Sequence, residues 1–315
     1  MVKRSLPALA LLTAGLQASP VVAAPEVVVS LKPVHSLVAG VMGDSEPPPT
    51  LLVPATASPH LYQMRPSDAQ ALQNADLVIW IGEAMETFLA RPIDTIGEGT
   101  LAVELHEAAG MHLLPNREGG IWEHHDEEPE IHVDEHDDHG HEHDEFDMHL
   151  WLDPGNARRI VEVAAEALGQ VDPGNRQTWQ DNAAEMAARI DAKTEELRQR
   201  LAQVQDRPFV VFHDGYGYFE QAFGLSGFGA VAVDPSRPIG ARRLSDLREA
   251  LEEGGVVCVF TEAQFEPELV QTLIEGTDVR TATLDPIGAS AEAGPDAWFV
   301  VMDELALAFE GCLGV

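Results

Sequence analysis

Residues 208–233, PFVVFHDGYGYFEQAFGLSGFGAVAV, decide the fold. The apolar run 208–212 is short, ends at His213-Asp214-Gly215, and reads as a strand buried on both faces. Residues 216–223 read as a helix and 229–233 as the next strand. The alternation continues downstream: helix 241–253, strand 256–260, helix 267–275, strand 279–284 and helix 295–309. Short strands separated by helices of ten to fifteen residues predict a parallel sheet covered on both faces.

Upstream of this lobe, residues 174–204 carry no Pro or Gly after their opening. Trp179, Ala183, Met186, Ile190, Leu197 and Leu201 fall at helical spacings there. About thirty helical residues span about 45 Å, long enough to bridge two domain cores. Before it, strand 27–31, a helix from Pro33, strand 50–53, a helix from Pro66, strand 77–81, helical 83–89 and strand 100–103 repeat the αβ alternation, and 157–168 is an Ala-rich helix opened by Asp153-Pro154. The predicted fold class is α/β, two lobes, each a mainly parallel sheet flanked by helices, joined by one long rigid helix. The expected boundaries are 25–172 for the first lobe, 173–205 for the connecting helix and 206–315 for the second lobe.

Residues 1–24 read as a signal peptide: a basic start at Lys3-Arg4, an apolar stretch 6–16 and small residues at Val22-Ala23-Ala24. The expected location is the periplasm, and no later apolar run is long enough to span a membrane. The formal charge of −34 becomes two units more negative once Lys3 and Arg4 are removed. Such a balance repels nucleic acid and attracts cations. Cys258 and Cys312 are the two cysteines. In an oxidising compartment an even pair suggests one disulfide, the alternative being two buried thiols.

Between residues 118 and 147 the sequence holds fourteen Asp or Glu, seven His and no Lys or Arg. Ordering such a segment costs about 1 to 2 kcal/mol per residue in backbone entropy, with almost no apolar burial in return. It is expected to be a mobile loop whose His124, His125, His132, His136, His139, His141 and His143 are weak auxiliary metal sites.

Ligands in open α/β sheets lie beyond the carboxyl ends of the strands. Four candidates stand there: His60 in the loop after the second strand, His149 before the helix at Pro154, His213 directly after strand 208–212, and Asp285 directly after Leu284. Three imidazoles and a carboxylate suit a borderline-soft ion such as zinc better than magnesium or calcium. Taken singly, each is also an ordinary hydrogen-bonded histidine. His35, His106 and His112 lack this placement. Asp153, Asp214 and Asp234 read as helix caps or as acceptors for a ligating imidazole, the second role being favoured only for Asp214.

SLKPVHSLVAGVMG, LLVPATASPHLYQMRPSDAQALQNADLVIWIG, HLWLDPGNA, RPFVVFHDGYGYFE, RPIGARRLSDLREAL, VCVFTEAQFEPELVQTL and LDPIG resemble, in this order, the ZnuA family of high-affinity zinc receptors of ABC importers. The resemblance covers about residues 27–312. It implies a solute-binding protein, not an enzyme, that captures Zn²⁺ between two lobes and delivers it to a membrane permease. It also implies His60, His149 and His213 as ligands, water or Asp285 as the fourth, paired Cys258 and Cys312, limited domain closure and a monomer. Zinc release is expected on acidification, as the imidazoles protonate. The competing readings are a zinc-dependent hydrolase and a receptor for manganese; no His-Glu-x-x-His helix supports the hydrolase.

Overall fold

The computed structural model describes residues 25–45, 47–97, 99–117, 122, 146–232, 239–265 and 267–314. The signal segment 1–24, the seven histidines between 124 and 143 and Asp234 lie outside the described residues.

The first lobe runs β1 (Val27–Val29), α1 (Lys32–Met42), β2 (Thr50–Leu51), α2 (Pro66–Asn74), β3 (Leu77–Trp80), α3 (Thr87–Asp94) and β4 (Leu101–Glu104), followed by α4 (Pro154–Val171). The connecting helix is α5 (Arg176–Leu201). The second lobe runs β5 (Phe209–His213), α6 (Gly217–Phe223), β6 (Gly227–Ala232), α7 (Ala241–Glu253), β7 (Cys258–Glu262), α8 (Glu268–Ile274), β8 (Arg280–Leu284) and α9 (Ala297–Leu313). Among the described residues there are two parallel sheets, ordered β2-β1-β3-β4 and β6-β5-β7-β8. The two lobes thus repeat one topology, and in each the order reverses between the first and third strands.

Local chemistry explains most boundaries. Pro33 sits in the first turn of α1, where its missing N–H has no intrahelical partner to lose. Asp153 caps α4 by accepting from Gly155 N at 2.6 Å. Gly224 ends α6 in the left-handed region at φ 69°, its N–H bonded to Glu220 O. The helix expected at 83–89 starts later, at Thr87. The Glu86 carboxylate folds back onto the amides of Ile81 and Gly82 and makes 82–86 a turn instead.

Period-two alternation divides β5 between two apolar clusters. Val210 and Phe212 face the smaller one, with Val231, Leu247 and Leu251. Phe209 and Val211 face the larger one, which also contains β1, β3, α1, α4 and α9 residues from both lobes. His213 has the parity of Phe209 and Val211, so it points to the shared side. Helix α5 presents Trp179, Ala183, Met186 and Ile190, then Leu197 and Leu201, to this cluster along about 39 Å. Lys193 and Arg200 of α5 pair with Asp303 and Glu310 of α9. These bridges are partly exposed and add modestly to the apolar packing. A disulfide joins Cys258 in β7 to Cys312 in α9, with the Cα atoms 6.0 Å apart.

Direct hydrogen bonds also cross between the lobes. Trp298 donates from its backbone to Ser36 Oγ at 2.9 Å and from Nε1 to Trp151 O at 2.8 Å, and Trp151 Nε1 donates to Pro286 O at 2.7 Å. Both indoles are fully buried. A hinge motion that opened this contact would strand buried donors at about 1 to 3 kcal/mol each.

Candidate metal centre

His213 ends β5, the first strand of its sheet, next to the topological reversal. Its Nδ1 lies 2.5 Å from Glu262 Oε1 at the end of the neighbouring β7, and its backbone N–H reaches the same oxygen at 3.2 Å. His149 lies on the segment entering α4 and uses the same device within two residues. Its Nδ1 is 2.7 Å and its backbone N 2.9 Å from Asp147 Oδ1. A carboxylate only accepts, so both rings carry their proton on Nδ1 and turn the Nε2 lone pair outward.

Those two Nε2 atoms face each other at 3.0 Å. Two lone pairs at that distance repel unless a proton or a cation lies between them. The third imidazole, His60, sits on the turn Pro59–Leu61, and its buried Nε2 has no hydrogen-bond partner among the described residues. One ligand atom from each of His60, His149 and His213 falls within 4.8 Å of the others. Ring centroids are 5.0 to 5.8 Å apart, so the three rings converge rather than stack. A tetrahedral zinc with Zn–N bonds of about 2.0–2.1 Å needs ligand nitrogens about 3.3 Å apart.

The cavity between the rings offers about 10 Å³ to the centre of a water-sized sphere, room for about one ion or water. Trp151, Phe265, Pro286 and Ile287 complete its wall. Gly215 closes it from the backbone side. A Cβ there would fall 2.6 Å from His213 Nε2 and 2.8 Å from His149 Nε2, inside the space the ion needs.

The rings differ electrostatically. Burial, and then the nearby His149 and His213, push the His60 pKa well below its ordinary value. Burial also opposes charge on His213, but the Glu262 carboxylate outweighs it and the net direction is upward. His60 is therefore a neutral lone-pair donor over a wide pH range, whereas His213 is held by a strong acceptor.

Of the four sequence candidates, the structure brings His60, His149 and His213 together. Asp285 stands outside this group: its carboxylate accepts from the amides of Ile287, Gly288 and Ala289 and from Gln264 Nε2. The acceptor role favoured for Asp214 falls instead to Asp147 and Glu262. Asp214 pairs with Arg117, which also holds Glu220 at 2.7 Å and stacks 3.6 Å over Trp122. Asp153 caps α4, as one of its readings had it, and pairs with His112 at 2.7 Å. His35 is buried and bonded to Pro49 O, a packing role.

The family profile described as ZnuA, zinc-uptake complex component A, periplasmic, matches residues 27–312. The chain belongs to the ZnuA family. The high-affinity zinc uptake system protein ZnuA of Brucella abortus (strain 2308) is 40% identical over 305 residues, covering 91% of each chain. A crystal structure of ZnuA superposes with a TM-score of 0.74 at 23% identity, covering 92% of this chain and 100% of that one. A ZnuA deletion mutant with zinc bound gives 0.68 at 24% identity, over 90% and 98%. At these identities the two structures attest the fold, while the ZnuA family membership rests on the profile and the relative.

Proposed function

We propose that this chain is the periplasmic receptor of a zinc ABC importer, capturing Zn²⁺ on His60, His149 and His213 between the lobes and handing it to a membrane permease. One observation carries this reading: three imidazole nitrogens from separate segments converge within 4.8 Å on a cavity for one ion. Membership in the ZnuA family and the zinc named for its relatives support the choice of metal. Nitrogen ligands in a close triangle suit zinc better than manganese or magnesium. The fourth position goes to water, which a small acceptor or the permease can displace. The two carboxylates at the site each engage an imidazole Nδ1, which supports holding an ion over activating a water for hydrolysis.

The signal reading of residues 1–24 supports export, with lobes at 25–172 and 206–315 joined by 173–205. The composition of 118–147 supports weak accessory capture by its histidines, feeding the cleft. Asp147 itself belongs to the ligand framework rather than to that accessory run.

Calorimetry and chelator competition on the mature chain test the proposal. One tight zinc site is expected, surviving deletion of 119–145 and abolished by His213→Ala with the fold intact by circular dichroism. Loss of all tight binding with the deleted segment would refute it.

A further inference from the structure

Lys32 is a buried cation that the binding scheme does not use. It lies in the first turn of α1, is 9% exposed, and donates from Nζ to Gly288 O and Ala291 O, each at 2.7 Å. The turn it grips is the one that follows β8 and begins with Asp285. From inside, the Asp285 carboxylate holds the same turn through the amides of Gly288 at 2.9 Å, Ile287 at 3.3 Å and Ala289. Gln264 Nε2 adds a bond to Asp285 Oδ1 at 2.9 Å and another to Ala55 O at 3.2 Å in the opposite lobe.

This turn is also the wall of the metal cavity. Pro286 and Ile287 line it, and Pro286 O is fixed by Trp151, whose ring lies 5.3 Å from that of His149. Gly288 takes φ +74°, and a Cβ there would meet Val301 at 2.7 Å, so the turn has one register. An aspartate one residue from the cavity wall is a potential oxygen ligand. Here its oxygens accept from those amides and from Gln264, and the Lys32 ammonium that grips the same turn adds an electrostatic attraction to it.

We propose that Lys32 is a specificity-determining residue: by gripping the turn 285–291 it withholds Asp285 from the metal and keeps the site at three imidazoles plus water. The proposal rests on the zinc-receptor reading above. Carboxylate oxygens favour manganese and other hard cations, and imidazoles favour zinc. Withholding Asp285 therefore biases the cleft against Mn²⁺. Replacing Lys32 by an apolar or neutral side chain frees two carbonyls, loosens the turn and removes a positive charge that attracts Asp285, beside a cavity that takes a dication.

The test compares mature wild type, Lys32→Met, Lys32→Gln and the double variant Lys32→Met with Asp285→Asn in competition titrations of Zn²⁺ against Mn²⁺. The zinc preference should narrow by about tenfold or more in both single variants, through tighter Mn²⁺ binding, and return in the double variant. X-ray absorption of zinc-loaded wild type should find three imidazole nitrogens and a water oxygen. An unchanged preference, or equal weakening of both metals, makes Lys32 a structural clamp only and overturns the proposal. A carboxylate in the wild-type zinc shell overturns it even if neither variant folds. Absence of tight zinc binding by wild type would instead bring down the receptor reading itself.

Discussion

The two lobes share a strand order, and each buries a glutamate beyond the ends of its first and third strands. In the second lobe, Glu262 at the end of β7 meets His213 at the end of β5. In the first lobe, the buried Glu86, after β3, accepts from the amides of Ile81 and Gly82 at 2.9 and 3.0 Å. The two glutamates differ in what they hold: an imidazole at Glu262 and backbone amides at Glu86. The imidazole makes Glu262 the brace of a metal ligand. Lacking a cation, Glu86 is pushed up by burial to about 7 and serves the turn instead. A buried glutamate near the sheet end thus serves a metal ligand in one lobe and a turn in the other. The first lobe contributes its ligands from outside the sheet, on the turn at His60 and the segment at His149.

Breaking the braced side should cost most. His213→Ala removes a ligand whose orientation is fixed, and zinc affinity should fall by more than about a hundredfold in chelator competition. Gly215→Val should do the same without touching a ligand, because its Cβ alone would sit 2.6 Å from His213 Nε2. A Gly215→Val protein that bound zinc normally would show that the ion lies elsewhere. His60→Ala should cost less than His213→Ala, since no carboxylate holds His60 and the braced pair His149–His213 persists. Equal losses would mean that bracing contributes nothing.

The brace itself is tested by Glu262→Gln. An amide can still accept from Nδ1 but carries no charge, so His213 becomes a weaker donor. A loss of about ten- to a hundredfold in zinc affinity is expected, with the fold retained. Asp147→Asn should act similarly on His149. Affinities unchanged in both variants would reduce the two carboxylates to packing groups.

The sequence shows residue type and period, and these reach only part of this site. The strand 208–212 pointed to His213, because a short apolar run ending in a polar side chain marks a sheet end. His60 and His149 were readable as loop histidines near such ends, and the family resemblance joined them. Asp147 was hidden by composition, being the last of fourteen acids in one stretch. Glu262 looked like any strand terminus, since its partner is 49 residues away. Asp214, adjacent to His213, drew attention that belonged elsewhere, because Arg117, 97 residues distant, takes its charge. Gly215 carries a signal only in retrospect: a glycine two residues after a ligand, where backbone must approach the ion. The Glu262 brace and the Arg117 partner of Asp214 are long-range choices that neither period nor composition encodes, whereas Asp147 is local to His149 and masked by its acidic neighbours.

The smallest expected effect concerns the structural side of the comparison and stability rather than binding. Burial, partly offset by the Gly82 and Ile81 amides, raises the Glu86 carboxyl from 4.5 to about 7. Between these two values the folded chain keeps a proton that the unfolded chain has lost. Stability contributed by this group is therefore full below about pH 4.5 and declines as pH rises toward 7, by roughly 3 kcal/mol at most. Glu86→Gln keeps an oxygen for the two amides and removes the ionisation. Its denaturation midpoint should exceed that of wild type at pH 8 and match it near pH 4.5. Zinc affinity should change less than about twofold, since Glu86 engages the Ile81 and Gly82 amides and none of the ligating histidines. A wild-type and variant pair with parallel stability curves from pH 4.5 to 8 would show that the Ile81 and Gly82 amides already compensate the Glu86 charge in the folded lobe.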